Sequence, residues 1–201
     1  MTKPTYAFVD METTGLDANR DVPLEVGIIL TDKEGNELAR KAWLVWETSI
    51  EFRIGANRGR ENDFVNQMHI NNHLWADVID KGYSRKAVDT EMCSWLMANN
   101  VAPQSREDDF DGIGMTGNSI GSLDRPFALR HFPLFNQYLG YRNIDLSSFK
   151  EVCKRNNPGL YENIKPIVSN KADADHRVIG DCLAAIREFK VYLEEFLIVE
   201  D

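Results

Sequence analysis

Apolar residues near the start of the chain fall into three short runs that are separated by turn residues. Residues 6–12, 24–32 and 37–46 are rich in the β-branched and aromatic side chains that favour strands. The K-E-G-N sequence at residues 33–36 predicts a hairpin turn between the second run and the third. Three successive strands with short connections predict an antiparallel meander.

Helical spacing of apolar residues replaces this pattern farther along the chain. A helix is predicted from Ser84, a favourable N-cap, to Met97, and others follow Asp124 and cover residues 147–156 and 175–197. Residues 113–118, I-G-M-T-G-N, predict a short strand that ends in a glycine turn. The inner side of the last helix is predicted to carry a row of apolar residues, namely Val178, Cys182, Ile186, Phe189, Leu193 and Phe196.

A meander followed by alternating helices and strands predicts an α/β fold with a mixed sheet. The 201 residues, 43% of them hydrophobic, suit a single domain that spans residues 1–201. Neither a membrane-spanning run nor a secretory signal is evident, so a cytoplasmic location is predicted. Cys93, Cys153 and Cys182 are widely spaced, which argues against a disulfide framework or a zinc site.

The formal charge of −9 narrows the class of ligand. Proteins that coat long nucleic acids neutralise many phosphates with lysine and arginine, and an acidic balance disfavours that function. A nuclease that holds only a few nucleotides needs few such contacts, and bound cations would neutralise an acidic site. The charge therefore favours short substrates over long ones.

Two acids lie at the end of the first predicted strand, in V-D-M-E-T-T-G-L. Asp10 and Glu12 are two residues apart, and alternate side chains of a strand project to the same face. Burying both carboxylates without a partner would be costly, and a shared cation would remove that cost. A D-x-E pair on its own is most often just a solvated strand end, because acids are mostly exposed.

Three further groups lie in two later motifs. Asp124 follows a glycine-rich turn in G-N-S-I-G-S-L-D, where it suits either a helix cap or a metal ligand. His176 and Asp181, in D-H-R-V-I-G-D, are separated by about 140° of rotation if both lie on one helix. His176 must therefore lie before the last helix or in its frayed first turn, with Asp181 inside the helix.

Four carboxylates suit a pair of hard divalent cations, which activate a water and stabilise the leaving oxygen of a phosphodiester. The imidazole of His176 suits the base that accepts the proton of that water. We therefore interpret the chain first as a metal-dependent nuclease.

These motifs, in this order and together with G-Y-R-N-I-D-L-S at residues 140–147, closely resemble oligoribonuclease, a member of the DEDDh 3′-to-5′ exonuclease superfamily. The resemblance runs from about Tyr6 to Phe189. It implies a ribonuclease H-like fold, in which an antiparallel meander is followed by parallel strands and flanked by helices. It also implies a homodimer that releases nucleoside 5′-monophosphates from the 3′ ends of short RNA, down to dinucleotides.

The resemblance also assigns roles to individual residues. His176 would be the general base, and two Mg²⁺ or Mn²⁺ ions would be bound by Asp10, Glu12, Asp124 and Asp181. Six residues would contact the substrate. Leu16 would wedge against the bases, and Phe64 and His69 would line the base pocket. Ser119 and Arg142 would cap the terminal phosphate, and Tyr141 would stack on a base across the dimer interface.

The chain departs from the usual oligoribonuclease pattern in three places. Phe64 lies where tryptophan is usual, and the turn from Asn118 to Asp124 is one residue longer. Loops at residues 47–62 and 101–112 look enlarged, and the arginines of the first loop either admit a different substrate or are ordinary exposed residues.

Two other functions stay open at this point. A DEDDh exonuclease that trims or edits the 3′ ends of single-stranded DNA or tRNA would carry the same four acids and histidine. A non-catalytic module that binds short nucleotides is the second alternative, although all five catalytic positions hold the expected residue types. A metal-dependent hydrolysis assay separates an enzyme from such a module.

Overall fold

The computed structural model describes residues 2–47, 63–105, 112–168 and 177–196, which contain three successive strands followed by a mixture of helices and strands. The strands are β1 (Tyr6–Thr13), β2 (Pro23–Thr31), β3 (Glu37–Trp46), β4 (Tyr83–Ser84), β5 (Ile113–Gly117) and β6 (Leu139–Asp145). The helices are α1 (Asp63–Asn71), α2 (Leu74–Lys81), α3 (Arg85–Ala98), α4 (Asp124–His131), α5 (Leu146–Asn156), α6 (Pro158–Val168) and α7 (Val178–Phe196), with a 3₁₀ turn at Phe135–Tyr138.

The described strands form one sheet in the order β4-β3-β2-β1-β5-β6. β1 pairs antiparallel with β2, and β2 pairs antiparallel with β3, which gives the predicted meander. β5 and β6 then join the other side of β1 in parallel orientation. The short strand β4 pairs with the outer edge of β3. The prediction of an α/β fold with a mixed sheet, antiparallel strands first and parallel strands after, is confirmed.

Most predicted elements lie close to their observed bounds. Ser84 caps α3, because its hydroxyl accepts a hydrogen bond from the backbone amide of Ala87 at 3.3 Å. The last helix begins at Val178 rather than at residue 175. Helices α1, α2 and α6 and the strands β4 and β6 were not predicted. The loops predicted at residues 47–62 and 101–112 fall largely outside the described residues.

Apolar side chains cover both faces of the sheet. On one face Val9 and Ile28 belong to a core that also includes side chains of α3 and α4. On the other face Phe8 and Ile29 pack with α5, α6 and α7. Phe189 of α7 makes an edge contact with Phe8, with ring centroids 5.4 Å apart, so α7 lies across β1. The predicted apolar row of α7 is buried at Val178, Cys182, Ile186 and Phe189 and partly buried at Leu193.

Two further findings bear on the predictions from composition. Cys93, Cys153 and Cys182 are free and buried. Across the described ranges, every helix is too short or too polar to cross a membrane. The single domain remains a prediction.

Candidate active site

β1 changes from apolar to acidic while its side chains keep alternating between two faces. Phe8, Asp10 and Glu12 share the face that α7 covers, because alternate residues of a strand point the same way. The antiparallel register places Gly27 of β2 beside Asp10, and Glu25 beside Glu12. On this face of β1, the apolar Phe8 is therefore followed directly by the acidic Asp10.

Gly27 lets the start of α7 approach β2 closely. A Cβ atom at Gly27 would lie 2.7 Å from side-chain atoms of Val178, so a larger residue would force the two elements apart. Val178 is itself fully buried. This close packing brings Asp181, in the first turn of α7, to the acidic end of β1.

Asp10, Glu12 and Asp181 form a carboxylate cluster. One carboxylate oxygen from each residue lies within 4.8 Å of the others, and all three side chains are half-buried. Carboxylate oxygens at such separations are the ligands that Mg²⁺ and Mn²⁺ prefer. The structure therefore brings together three of the four acids predicted to bind metal.

Asp124 lies beside this cluster at the start of α4, with only 1% of its surface exposed. The nearby backbone amides of Asp124 and Met11 lower the pKa of its carboxyl, but less than burial raises it. Its Oδ1 atom is nevertheless buried, with no hydrogen-bond partner in the part of the chain that the structure describes. Asp124 lies outside the group within 4.8 Å, yet it is close enough to Asp10 to raise the pKa of that carboxyl.

Burial and mutual repulsion raise the pKa values of these acids. Burial, followed by repulsion from Asp124 and Asp181, raises the pKa of Asp10 well above its usual value. Burial, followed by repulsion from Asp181, raises the pKa of Glu12 to about 8. Burial likewise raises the pKa of Asp124 to about 8. The folded chain therefore holds more acidic groups here than its own positive charges neutralise.

Divalent cations fit this arrangement. They would supply the positive charge that the buried carboxylates lack, and they would give the Oδ1 atom of Asp124 the partner that it lacks among the described residues. The donor set consists of carboxylate oxygens, which suits hard cations rather than the softer metals that thiolates select.

Arg177 pairs with two acids on two different elements. Its Nε and Nη2 atoms donate to the two carboxylate oxygens of Glu25 on β2, both at 2.8 Å. Its Nη1 atom donates to Asp77 of α2 at 3.0 Å. Glu25 is only 4% exposed, so this bidentate pair neutralises a charge that would otherwise be buried next to Glu12.

His69 lies beside Glu12 and is completely buried. Its Nε2 atom donates to the carbonyl oxygen of Thr13 at 3.0 Å, and its Nδ1 atom lies 3.8 Å from a carboxylate oxygen of Glu12. Its ring meets Trp75 edge-on, with centroids 5.9 Å apart. His69 is thus placed against the acidic cluster, and its role in a base pocket stays a prediction.

The turn after β1 presents Leu16 to solvent. The hydroxyl of Thr14 donates to Asp21 at 3.2 Å and accepts from the backbone amide of Val22 at 3.1 Å. A Cβ atom at Gly15 would lie 2.5 Å from the Asp21 carboxylate, so a larger residue there would displace that side chain. Leu16 follows in this turn, four residues after Glu12, and its side chain is 77% exposed.

Asp145 organises the turn that leads to Asp124. Its carboxylate accepts hydrogen bonds from the backbone amides of Ser119 at 3.1 Å, Gly121 at 3.0 Å and Ser147 at 3.0 Å. Ser119 has a positive φ of 57°, and its hydroxyl lies 3.3 Å from that of Ser147. The I-D-L-S segment therefore holds the longer turn in one shape at the surface.

The other predicted substrate contacts are exposed. Phe64 is 77% exposed and Tyr141 is 79% exposed. The guanidinium of Arg142 lies 5.7 Å from the ring centre of Tyr141, so the two side chains share one patch of surface. His176, the predicted general base, lies outside the described residues, as do the arginines of residues 48–62.

Sequence reasoning missed three residues that shape this site, namely Gly27, Glu25 and Arg177. Each had a signal. Glu25 and Gly27 interrupt the apolar run of β2, where a buried acid requires a partner and a glycine suggests close approach. Arg177 directly follows His176, but its partners are distant in sequence and only the fold identifies them.

The chain matches a known protein family over most of its length. The exonuclease family RNase_T matches residues 7–189. The chain belongs to the exonuclease family. Enzymes of this family depend on divalent metal ions, and the buried carboxylates of this exonuclease suit that requirement.

Curated relatives of this exonuclease carry the name oligoribonuclease. The relative from Neisseria meningitidis is 31% identical over 202 residues, which cover 98% of this chain and 94% of the relative. The relative from Thiobacillus denitrificans is 31% identical, and the match covers 98% of each chain. The relative from Leifsonia xyli is 30% identical and covers 96% of this chain and 84% of its own.

Solved structures with the same fold include Escherichia coli exonuclease I. Its complex with a dA16 oligonucleotide matches with a TM-score of 0.64 and 17% identity, over 97% of this chain and 42% of that one. Its zinc-bound complex with single-stranded DNA matches with a TM-score of 0.64 and 15% identity, over 98% of this chain and 42% of that one. This exonuclease thus spans less than half the length of those proteins, and the likeness concerns the fold. The predictions of a ribonuclease H-like fold, of an enzyme and nuclease, and of a relation to oligoribonuclease are confirmed.

Proposed function

We propose that this exonuclease releases nucleoside 5′-monophosphates one at a time from the 3′ ends of short RNA, down to dinucleotides. The name oligoribonuclease, which its curated relatives share, supports this class of substrate. The observation that carries the catalytic part is the cluster of Asp10, Glu12 and Asp181, with the oxygens of the three side chains within 4.8 Å. The net charge of −9 supports short substrates, which need few phosphate contacts.

Two divalent cations, Mg²⁺ or Mn²⁺, would be held by Asp10, Glu12, Asp124 and Asp181. When bound, they would make a water acidic and stabilise negative charge on the leaving oxygen. Asp10 is the most central of the four acids, because each of the other three raises its pKa. This position supports a role for Asp10 as the ligand shared by both ions.

His176 is the general base of the proposal. Its imidazole would take a proton from the attacking water, because histidine is the side chain best suited to general acid–base catalysis near neutral pH. The residue that follows it, Arg177, is anchored to Glu25, and Glu25 lies opposite Glu12 in the β1–β2 register. The chain therefore brings residue 177 to the edge of the acidic cluster, which supports a catalytic role for its neighbour.

Exposed side chains around the cluster would bind the nucleotides. Leu16 and Phe64 offer apolar surfaces for bases, and aromatic stacking suits a reader of single strands that tolerates any sequence. Arg142 and Ser119 would bind the terminal phosphate, for which a guanidinium provides paired donors. His69, behind Glu12, would complete the base pocket.

Tyr141 would stack on a base bound to a second copy of the chain, in a homodimer. Its exposed ring supports this role, and exposed Leu129 and Leu134 supply apolar surface for association. Free, buried cysteines support the prediction of a reducing, cytoplasmic location.

Length-resolved hydrolysis tests the proposal. End-labelled RNA of two to seven nucleotides and a long single-stranded DNA are incubated with the wild type and with Asp10→Ala, with and without Mg²⁺ or Mn²⁺. We expect rapid, metal-dependent loss of the short RNA and no turnover by Asp10→Ala. Equal turnover of all lengths, or faster turnover of the DNA, would contradict the short-RNA substrate. Activity that survives in Asp10→Ala would contradict the metal assignment.

A further inference from the structure

β6, the strand at one edge of the described sheet, changes register against β5. On β6 three residues lie between the paired Leu139 and Asn143, whereas on β5 Gly114 alone lies between their partners. The three residues, which we call the β6 bulge, are Gly140, Tyr141 and Arg142. Tyr141 and Arg142 are both exposed, which departs from the alternation of a regular strand. The bulge therefore directs two successive side chains toward solvent.

Arg125 of α4 is bonded to both ends of the β6 bulge. Its Nη1 atom donates to the carbonyl oxygen of Gly140 at 2.9 Å and lies 3.4 Å from Oδ1 of Asn143. A bulge interrupts the ladder, so its backbone groups need partners outside the paired strands, and Arg125 is such a partner. Gly140 is buried, and a Cβ atom there would lie 3.0 Å from the carbonyl oxygen of Gly112. The start of the bulge is thus packed closely on the backbone that leads into β5 and is bonded to the guanidinium.

The side chain of Arg125 begins one residue after Asp124, a proposed metal ligand. The backbone amide of Arg125 donates to the carbonyl oxygen of Ile120 at 2.9 Å, and any side chain at this position leaves that hydrogen bond in place. Phe127, on the same helix, is fully buried. The position of Asp124 therefore follows from the backbone and the core of α4, whereas the guanidinium of Arg125 serves the β6 bulge.

We propose that Arg125 is a positioning residue of this exonuclease, which sets the direction of Tyr141 and Arg142 by holding the β6 bulge. The inference rests on the proposed function, because it takes these two residues as substrate contacts. The guanidinium of Arg142 lies 5.7 Å from the ring centre of Tyr141, so a relaxed bulge would misalign both contacts together. Both contacts bind the substrate rather than the metal. Loss of the Arg125 side chain should therefore raise KM for short RNA and leave kcat close to that of the wild type.

Two substitutions of Arg125 are compared with one control on the same helix. Arg125→Gln removes the charge and shortens the side chain, and Arg125→Lys keeps a cationic donor. Arg130→Gln is the matched control, because it removes the same charge from an exposed position of α4. We expect KM on a short RNA to rise about 5- to 20-fold in Arg125→Gln, because the stacking and phosphate contacts are misaligned rather than deleted, and to rise less in Arg125→Lys. Arg130→Gln should keep the wild-type KM.

Calorimetric titration with Mn²⁺, thermal unfolding and sedimentation velocity accompany each kinetic measurement. Folded Arg125→Gln with a raised KM, wild-type Mn²⁺ affinity and an unchanged oligomeric state would support the positioning role. A wild-type KM in that variant would overturn it, as would a loss of Mn²⁺ affinity or a change of oligomeric state that accounts for the rise in KM. If Arg125→Gln does not fold, the same outcomes are measured on Arg125→Lys and carry the same meaning.

A mutant cycle with the two proposed contacts isolates the coupling. Arg125→Gln is combined with the double variant Tyr141→Ala, Arg142→Ala. If Arg125 acts through these residues, Arg125→Gln should raise KM little or not at all once both are replaced. If the rises in KM multiply, the positioning role is overturned while the proposed function stands. If the double variant alone keeps the wild-type KM, the substrate contacts of the proposed function are wrong and this inference falls with them.

Discussion

The contact between α7 and the first two strands has two ends that share their backbone architecture and differ in chemistry. The apolar end consists of Tyr6, Phe8, Ile29 and Phe189, which pack as aromatic and aliphatic side chains. The acidic end consists of Asp10, Glu12, Glu25 and Asp181, on the same two strands and the same helix.

One end of this contact stabilises the fold, and the other end carries the candidate site. The apolar end buries surface, which favours folding whatever ions are present. The acidic end gathers carboxylates whose pKa values are raised by burial and repulsion, which opposes folding at neutral pH without cations. The burial at the apolar end thus offsets the repulsion at the acidic end, whose carboxylates are arranged to bind metal.

The largest effect is expected from Asp10→Asn at the acidic end. Removing the central carboxylate should lower kcat about 10²- to 10³-fold, because charge stabilisation in the transition state is lost. In excess chelator the same variant should unfold at the same or a higher temperature than the wild type, because repulsion in the cluster is relieved. A clear drop in that unfolding temperature would show that Asp10 has a structural role instead.

Phe189→Ala tests the apolar end in the opposite sense. Loss of a buried phenylalanine should lower the free energy of unfolding by about 3–5 kcal/mol, measured by urea denaturation. The kcat of the protein that remains folded should change little. Phe189→Leu keeps most of the buried volume, so its free energy of unfolding should lie between those of the wild type and Phe189→Ala. The separation of the ends would be refuted if Phe189→Ala kept its stability and lost its activity.

Gly27→Ala tests the point where the two ends meet. The added Cβ would lie 2.7 Å from Val178, so we expect a loss of about 1–3 kcal/mol of stability from overpacking. Because the start of α7 must shift, kcat should fall as well. The control is Gly159→Ala in α6, whose Cβ would meet its nearest atom at 3.7 Å and should be tolerated. Equal behaviour of the two variants would argue against the close approach.

The smallest effect concerns pH in the absence of metal. Glu12 and Asp124 have folded pKa values of about 8, above those of the unfolded chain, so their protonated forms favour the folded state. Stability should therefore fall as pH rises above the unfolded pKa values, and should level off once the folded pKa values near 8 are passed.

Urea unfolding in chelator, from pH 5 to pH 9, measures this slope. Glu12→Gln should show a shallower slope, and excess Mg²⁺ should restore stability at high pH. A wild-type slope that Glu12→Gln does not change would mean that Glu12 titrates normally.

The sequence predicted most of the scaffold, for physical reasons that differ between elements. β1 to β3 follow from strand composition and a glycine turn, and α7 follows from its apolar row. Helix α1 carries an exposed Phe64 and a polar surface, so no apolar stripe marks it. Helix α6 contains Pro166, which argues against a helix when sequence alone is considered.

Strand β6 depends on contacts that are distant in sequence. It exposes Tyr141 and Arg142, and Arg125 of α4 holds it by donating to the carbonyl oxygen of Gly140 at 2.9 Å. In the site too, some features follow from local sequence patterns and others depend on contacts between distant parts of the chain. The spacing of Asp10 and Glu12 placed both acids on one face of a strand. The roles of Gly27 and Arg177 depend on α7 meeting β2, which no local pattern encodes.

The central claim is that the acidic end binds divalent cations. Anomalous diffraction from crystals grown with Mn²⁺ tests it most directly, because the signal locates the metal itself. We predict peaks bounded by Asp10, Glu12, Asp181 and Asp124, and their loss in Asp10→Asn crystals. Crystals of enzyme that is active in the same Mn²⁺ buffer, with no anomalous peak at these four carboxylates, would contradict the account.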